Sequence, residues 1–185
     1  MSPMNDWLWY LTRSTGIVAA VLAVAALAMG FSFSARNTGT RHRPNWWLAL
    51  HNWLGGLTLG VTGLHMALSL ADSQTGLRLI DLFVPSNTVG WAIGWGVVAF
   101  WLFALVTIPS LARIRRRLPR RAWHMVHLLA VPATVLTAVH AYQAGSDSTS
   151  ASFTRVLALL VGLAIYPLSI RLIGLAQRHR RHAVA

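Results

Sequence analysis

The sequence predicts an all-α fold, a polytopic membrane helix bundle with about five transmembrane helices. Three observations point there. In 185 residues the hydrophobic fraction is 55% and the mean hydropathy is +0.53. Uncharged runs recur that are long enough to cross a hydrocarbon core roughly 30 Å thick. Nearly all the charge falls between those runs.

Residues 14–33 form a charge-free run of 20 and predict a helix over about 10–33. A second run of 26 covers 46–71. Residues 82–112 are uncharged for 31 positions, enough for the end of a connector and a span over about 88–111. The fourth run, 122–146, is uncharged apart from its histidines and predicts a span over 122–144. In the fifth, Arg155 and Arg171 leave 15 uncharged residues between them, about 22 Å of helix. Both arginines can snorkel to the interfaces, which gives a span over about 153–175. Residues 1–185 read as one transmembrane domain. The connector 73–88 holds a short amphipathic stretch at 77–84, closed by Pro85; it reads equally as a segment lying along the membrane surface and as an ordinary link. Residues 145–152 read as a small polar loop and 177–185 as a solvated basic tail. No cleavable signal peptide is expected, because the first apolar run is too long for an h-region and Asp6 with a single Arg13 makes a poor n-region.

All 16 basic residues are arginine, against four acids, Asp6, Asp72, Asp81 and Asp147, for a net charge of +12. In a soluble domain that balance suggests nucleic acid. Here the arginines flank membrane spans and act as topology signals, so the expected partner is membrane lipid and not nucleic acid. Five spans put 13 arginines on one side and three, Arg13, Arg78 and Arg155, on the other with all four aspartates. The N-terminus is therefore expected outside and the C-terminus in the cytoplasm of a bacterial plasma membrane. Trp46, Trp47 and Trp123 would mark the inner interface, and Trp7, Trp9, Trp91 and Trp95 the outer one.

Four histidines lie inside the apolar runs, His51 and His65 in the second span and His127 and His140 in the fourth, with no other ionisable side chain beside them. Ionisable groups at bilayer depth usually line a path or hold a cofactor. His51 and His65 are 14 residues apart, nearly the same helix face and about 21 Å along the axis. His127 and His140 are 13 apart, about 20 Å, but an ideal helix turns them some 140° from each other. Pro132, between them, removes a backbone hydrogen bond where local rewinding would realign the rings. The two spans run in the same direction, so His51 is expected to face His127 near the cytoplasm and His65 to face His140 near the outside. The absence of cysteine excludes disulfides, iron–sulfur clusters and covalent haem attachment. The reading is two haem b groups held between the second and fourth helices, His51 with His127 on one iron and His65 with His140 on the other. Iron with imidazole on both faces has no vacant position and suits electron transfer.

Gly55, Gly56, Gly60 and Gly63 either let a flat macrocycle approach the backbone or mark close helix packing. Haem propionates need cations, for which Arg43, Arg120 and Arg121 are the inner candidates and Arg78 the outer one. His124 reads as an interfacial or propionate-contacting residue, and His42, His179 and His182 as solvated. Tyr142, Gln143, Asp72 and Asp81 lie at the outer end, where an electron acceptor would dock. Proton pumping gains no support, since the spans hold no Asp, Glu, Lys or Arg for a relay.

These residues resemble the ferric reductase-like transmembrane domain family, which includes the membrane parts of ferric reductases and NADPH oxidases and the haem-binding subunit of a bacterial methionine sulfoxide reductase system. The resemblance rests on His51-x13-His65, His127-x12-His140, the arginine-rich turn at 113–121 leading into RRAWHMVH at 120–127, and DLFVP at 81–85. It covers about 46–142. It implies haem b ligation by His51, His65, His127 and His140, with electrons passing from the cytoplasmic side to an acceptor outside. Family members often carry six spans, where five are read here. Full-length reductases also carry cytoplasmic flavin and nicotinamide domains, and no strand, Gly-rich turn and helix unit of that kind occurs in this sequence. The expectation is thus the electron-transfer subunit of an oxidoreductase whose donor is separate, a flavin reductase or a quinol. Its acceptor is iron, oxygen, a flavoprotein or a repair enzyme. The alternatives are a quinol-linked cytochrome b subunit and a haem-free membrane scaffold.

Overall fold

The computed structural model describes residues 3–34, 45–85 and 90–183. The chain is all-α, with no strand among the described residues. Among the described residues there are seven α-helices: α1 Pro3–Ser34, α2 Asn45–Ala71, α3 Trp91–Thr107, α4 Ala112–Arg115, α5 Arg120–His127, α6 Ala130–Ala144 and α7 Ala151–Ala183. Five stretches among the described residues are long and apolar enough to span a membrane: Trp7–Ser34, Asn45–Ala71, Trp91–Ser110, Arg120–Ala144 and Ala151–Gly174. The protein is an integral membrane protein. Helices dominate because lipid offers backbone groups no partner, so each N–H and C=O must be satisfied within its own segment. Five hydroxyls inside the spans obey the same rule: Thr58 donates to Leu54, Thr62 to Thr58, Ser69 to His65, Thr134 to Ala130 and Thr137 to Ala133, each to a carbonyl one turn back.

Helices α1, α2, α3 and α6 form a ring. Helix α1 packs on α2 and α6, and α3 packs on α2 and α6, which leaves α2 and α6 diagonally opposite. Helix α7 lies outside the ring against α1 and turns many large apolar side chains outward, Leu159, Leu163, Ile165 and Tyr166 among them. At mid-height the ring closes on a small apolar layer, Ala23, Phe103 and Ala133, with Leu59 and Leu102 packed against it. Alanines at 23 and 133 bring α1 and α6 together; Ala133 has no exposed surface.

The fourth span is two helices. Leu129 and Val131 bond three residues back, to Val126 and Leu128, while Leu128 and Ala133 bond four back. Three-residue bonding turns the chain about 120° per residue in place of 100°. The overwinding carries His140 toward the face of His127, in the sense needed to close the 140° gap. Pro132 sits in the first turn of α6, where its missing N–H costs little.

The α2–α3 connector lies against α3, with Trp101 Nε1 donating to the Leu82 carbonyl at 3.1 Å and Phe83 5.6 Å from the Trp101 ring. Leu79, Ile80, Phe83 and Val84 face outward while Asp81 is only 1% exposed. This is an amphipathic segment docked against α3. Arg13 forms an ion pair with Asp147, joining the start of α1 to the α6–α7 connector. The stretch from residue 177 onward, expected as a tail, continues α7 as far as Ala183.

Candidate functional site

The four intramembrane histidines meet in two pairs across the ring. The His51 and His127 ring centres are 5.9 Å apart with their planes at 67°. The His65 and His140 centres are 6.2 Å apart at 72°. The pairs stand one above the other, His51–His127 toward the arginine-rich end and His65–His140 toward the end that carries Asp72, Asp81 and Asp147. The apolar layer lies between them. Leu59, on α2, is placed between His51 and His65, as Ala133 is between His127 and His140.

Each imidazole is oriented through Nδ1. His51 Nδ1 lies 3.0 Å from the Ala26 carbonyl, His65 Nδ1 2.8 Å from Thr12 and His140 Nδ1 2.7 Å from Ala92. A carbonyl only accepts, so in each case Nδ1 carries the proton and Nε2 keeps its lone pair. His127 Nδ1 lies 3.3 Å from Ser110 Oγ, which donates its own proton to the Val106 carbonyl at 2.7 Å. The hydroxyl thus accepts from His127, and all four rings share one tautomer. Four neutral imidazoles each present an unprotonated Nε2, the form and polarity a metal requires.

Glycines on the flanking helices make room for the rings. A Cβ on Gly16 would lie 3.0 Å from His65, on Gly30 3.2 Å from His51, and on Gly96 2.8 Å from His140. The close-contact glycines are therefore on α1 and α3. Cβ atoms at Gly55, Gly56 and Gly60 would meet nothing within 4 Å, so these α2 glycines open space and do not mark tight packing. The sequence reading missed Gly16, Gly30, Gly96, Ser110 and Trp123. One signal was available: Gly16 and Gly30 are 14 residues apart, the spacing of His51 and His65, as an antiparallel α1–α2 pair demands.

The other expected site residues are dispersed. Arg120 and Arg121 are exposed in the first turn of α5, at the arginine-rich end. Arg43 lies outside the described residues, as do His42 and the arginines beside it. Arg78 is engaged by Asp81, with Nε 3.3 Å from Oδ2 and Nη2 3.3 Å from Oδ1. That hydrogen bond and charge raise the Arg78 pKa above its ordinary value. Asp81 also accepts from the Arg78 backbone N–H at 3.0 Å, and Asp72 caps the next turn by accepting from Gln74 N–H at 3.0 Å. Both carboxylates shape the connector. His124 is exposed, 6.2 Å from the Trp123 ring and in neither pair.

Among the described residues no group of three or more His, Asp or Glu is placed to hold a metal. Each histidine pair can bridge a metal only if the remaining ligands come from elsewhere, as the four in-plane nitrogens of a porphyrin would. The separation suits that: metal–imidazole bonds of about 2 Å, with about 1 Å from each nitrogen to its ring centre, put the centres roughly 6 Å apart.

A family model for the ferric reductase like transmembrane component matches residues 15–138, more than half of the chain and including His51, His65 and His127. Among curated proteins, none matches.

Proposed function

The chain belongs to the ferric reductase-like transmembrane family, and from that premise we propose that it is a di-haem b electron-transfer protein. Electrons would pass from a cytoplasmic donor to an extracytoplasmic acceptor, with the chain as the haem subunit of an oxidoreductase. The observation that carries this reading is the matched pair of sites, each with two imidazole ring centres about 6 Å apart and each Nδ1 already committed, which leaves Nε2 for a metal. Bound at both levels, haem would supply one-electron chemistry at iron with no open coordination position. The protein's own residues do the rest. His51 with His127 and His65 with His140 hold the irons, and the open backbone at Gly55, Gly56 and Gly60 leaves space beside α2 for the macrocycles. Arg120 and Arg121 at one end and Arg78 at the other stand as cations for propionates, with Arg43 a further candidate from its place in the sequence. Arg78 keeps three of its five N–H donors beyond those given to Asp81.

One observation favours the alternative reading, a quinol-linked cytochrome b, in which electrons would enter at the His65–His140 level and not from the cytoplasmic side. A cavity of about 810 Å³ opens between α1, α6 and α7, walled by residues such as Ala20, Val24, Val135 and Leu160, with Arg13, Tyr142, Gln143 and Asp147 at one end. Gly16, against His65, lines it too. A quinol there would give up two electrons singly and two protons at the acid-bearing end.

The test is a reduced-minus-oxidised spectrum with a pyridine haemochrome count on the purified protein. Two haem b per chain are expected, and no Soret band after expression with ample haem would sink the reading and favour a haem-free scaffold. Reduction of the bands by a soluble quinol or by reduced flavin separates the two donors.

Orientation is testable because the chain has no cysteine. With the N-terminus outside, Ser148→Cys is expected to react with an impermeant maleimide in intact cells and Arg117→Cys only after the membrane is opened. The reverse pattern would invert the direction of electron flow proposed here.

A further inference from the structure

The four imidazoles differ in what holds them. His51, His65 and His140 each donate to a main-chain carbonyl, whereas His127 donates to a side chain, Ser110 Oγ at 3.3 Å. That oxygen also accepts from Trp123 Nε1 at 3.2 Å, while its proton goes to the Val106 carbonyl at 2.7 Å. A hydroxyl has two lone pairs, so two N–H donors share one oxygen. Trp123 also stacks on His127, with ring centres 4.8 Å apart and planes at 22°, and the Arg115 guanidinium sits 4.3 Å from the Trp123 ring centre. Ser110 follows α3 and Trp123 lies within α5, so the contact closes the arginine-rich turn directly onto His127.

We propose that Ser110 and Trp123 are positioning residues that fix the His127 tautomer and hold its donation to iron below that of the other three histidines. The inference rests on the haem reading above. An acceptor at Nδ1–H makes the opposite nitrogen a stronger donor, and stronger donation stabilises the oxidised iron. At 3.3 Å the contact is longer than the 2.7–3.0 Å bonds of the other three rings, and the second donor draws on the same oxygen, so Ser110 pulls less on the His127 proton than the helix carbonyls pull on theirs. The haem at the arginine-rich end is thereby easier to reduce than a carbonyl partner would leave it.

The relay makes a signed prediction. Trp123→Phe keeps an aromatic ring but removes the competing N–H, so Ser110 accepts more strongly from His127 and the midpoint potential at that level falls. Ser110→Ala leaves Nδ1–H without its acceptor, so the potential rises and haem at that level dissociates roughly tenfold faster. Ser110→Thr retains the hydroxyl and is expected to restore both properties. The experiment is a potentiometric titration of the purified two-haem protein and these variants, with His51→Ala identifying the band at the arginine-rich end and the other haem as internal reference. Opposite shifts from Trp123→Phe and Ser110→Ala, confined to one haem, are the expected result. Shifts of one sign, shifts at both haems, or none would overturn the relay while leaving the di-haem reading intact. A wild-type protein without haem would overturn both.

Discussion

Replacing His127 by alanine is expected to remove one haem and leave the other, halving the Soret absorbance per chain. His51→Ala should remove the same haem, and His65→Ala and His140→Ala the second. The pairing predicts strong non-additivity, since residues sharing one partner do not act independently. His51→Ala with His127→Ala should lose no more haem than either change alone, whereas His51→Ala with His65→Ala should yield a colourless protein. Loss of fold is a poor rival explanation. Each substitution deprives one carbonyl or hydroxyl of a donor, as at Ala26 for His51, a cost of about 1–3 kcal/mol. The helices satisfy their own backbones and should persist, with a monodisperse elution profile as the check. If every single substitution removed both haems from a monodisperse protein, the assignment of ligands to two separate levels would be wrong.

The second large effect needs no change to a histidine. Gly96→Ala is expected to expel the haem held by His65 and His140, because the new Cβ would lie 2.8 Å from His140 Nδ1, 2.9 Å from Cε1 and 3.0 Å from Cγ. Ordinary contact begins several tenths of an ångström further out, so the imidazole must shift and strain its 2.7 Å bond to the Ala92 carbonyl. Overpacking of this kind costs about 1–3 kcal/mol, which corresponds to roughly 5–150-fold weaker haem retention. A graded series gives the control. Gly16→Ala, at 3.0 Å from His65, should act on the same haem more mildly; Gly30→Ala, at 3.2 Å from His51, should act on the other. Gly162→Ala on α7 meets nothing within 4 Å and should be silent. Haem content and dissociation rate read out the series, and an effect from Gly162→Ala equal to that from Gly96→Ala would contradict the steric argument.

Much of this site is legible before any coordinates are considered, for a physical reason. Lipid forces spans to declare themselves as uncharged runs, and it makes a buried imidazole conspicuous. The five spans and the facing of His51 with His127 and His65 with His140 follow from that and from helix geometry. The partners of Nδ1 are less visible, because three are main-chain carbonyls, which carry no residue signature. Ser110 is 17 residues from His127 and meets it only because the chain turns at 108–119, whereas Trp123 is its neighbour one turn back on α5 and gains its part from the bond to Ser110. The offset between His127 and His140 was readable as a conflict and Pro132 as its location, but the three-residue bonding that eases it depends on the packing of α6 against α1 and α3. Asp72 and Asp81 show the opposite failure. Acids near an outer site suggest an acceptor contact, yet each is consumed by a local backbone N–H, a use that aspartate at the start of a turn commonly serves.

The apolar layer of Ala23, Leu59, Leu102, Phe103 and Ala133 has a consequence for bioenergetics. Electrons tunnel through close-packed matter, but protons and ions need a continuous row of polar atoms or water. Among the described residues at mid-height no such row of polar atoms is formed, since the neighbouring hydroxyls of Thr58, Thr134 and Thr137 are each turned back onto their own helix. The layer is a dielectric plug. In the proposed conduit, electron transfer past this layer would be electrogenic, moving charge across the membrane with no compensating proton through the bundle.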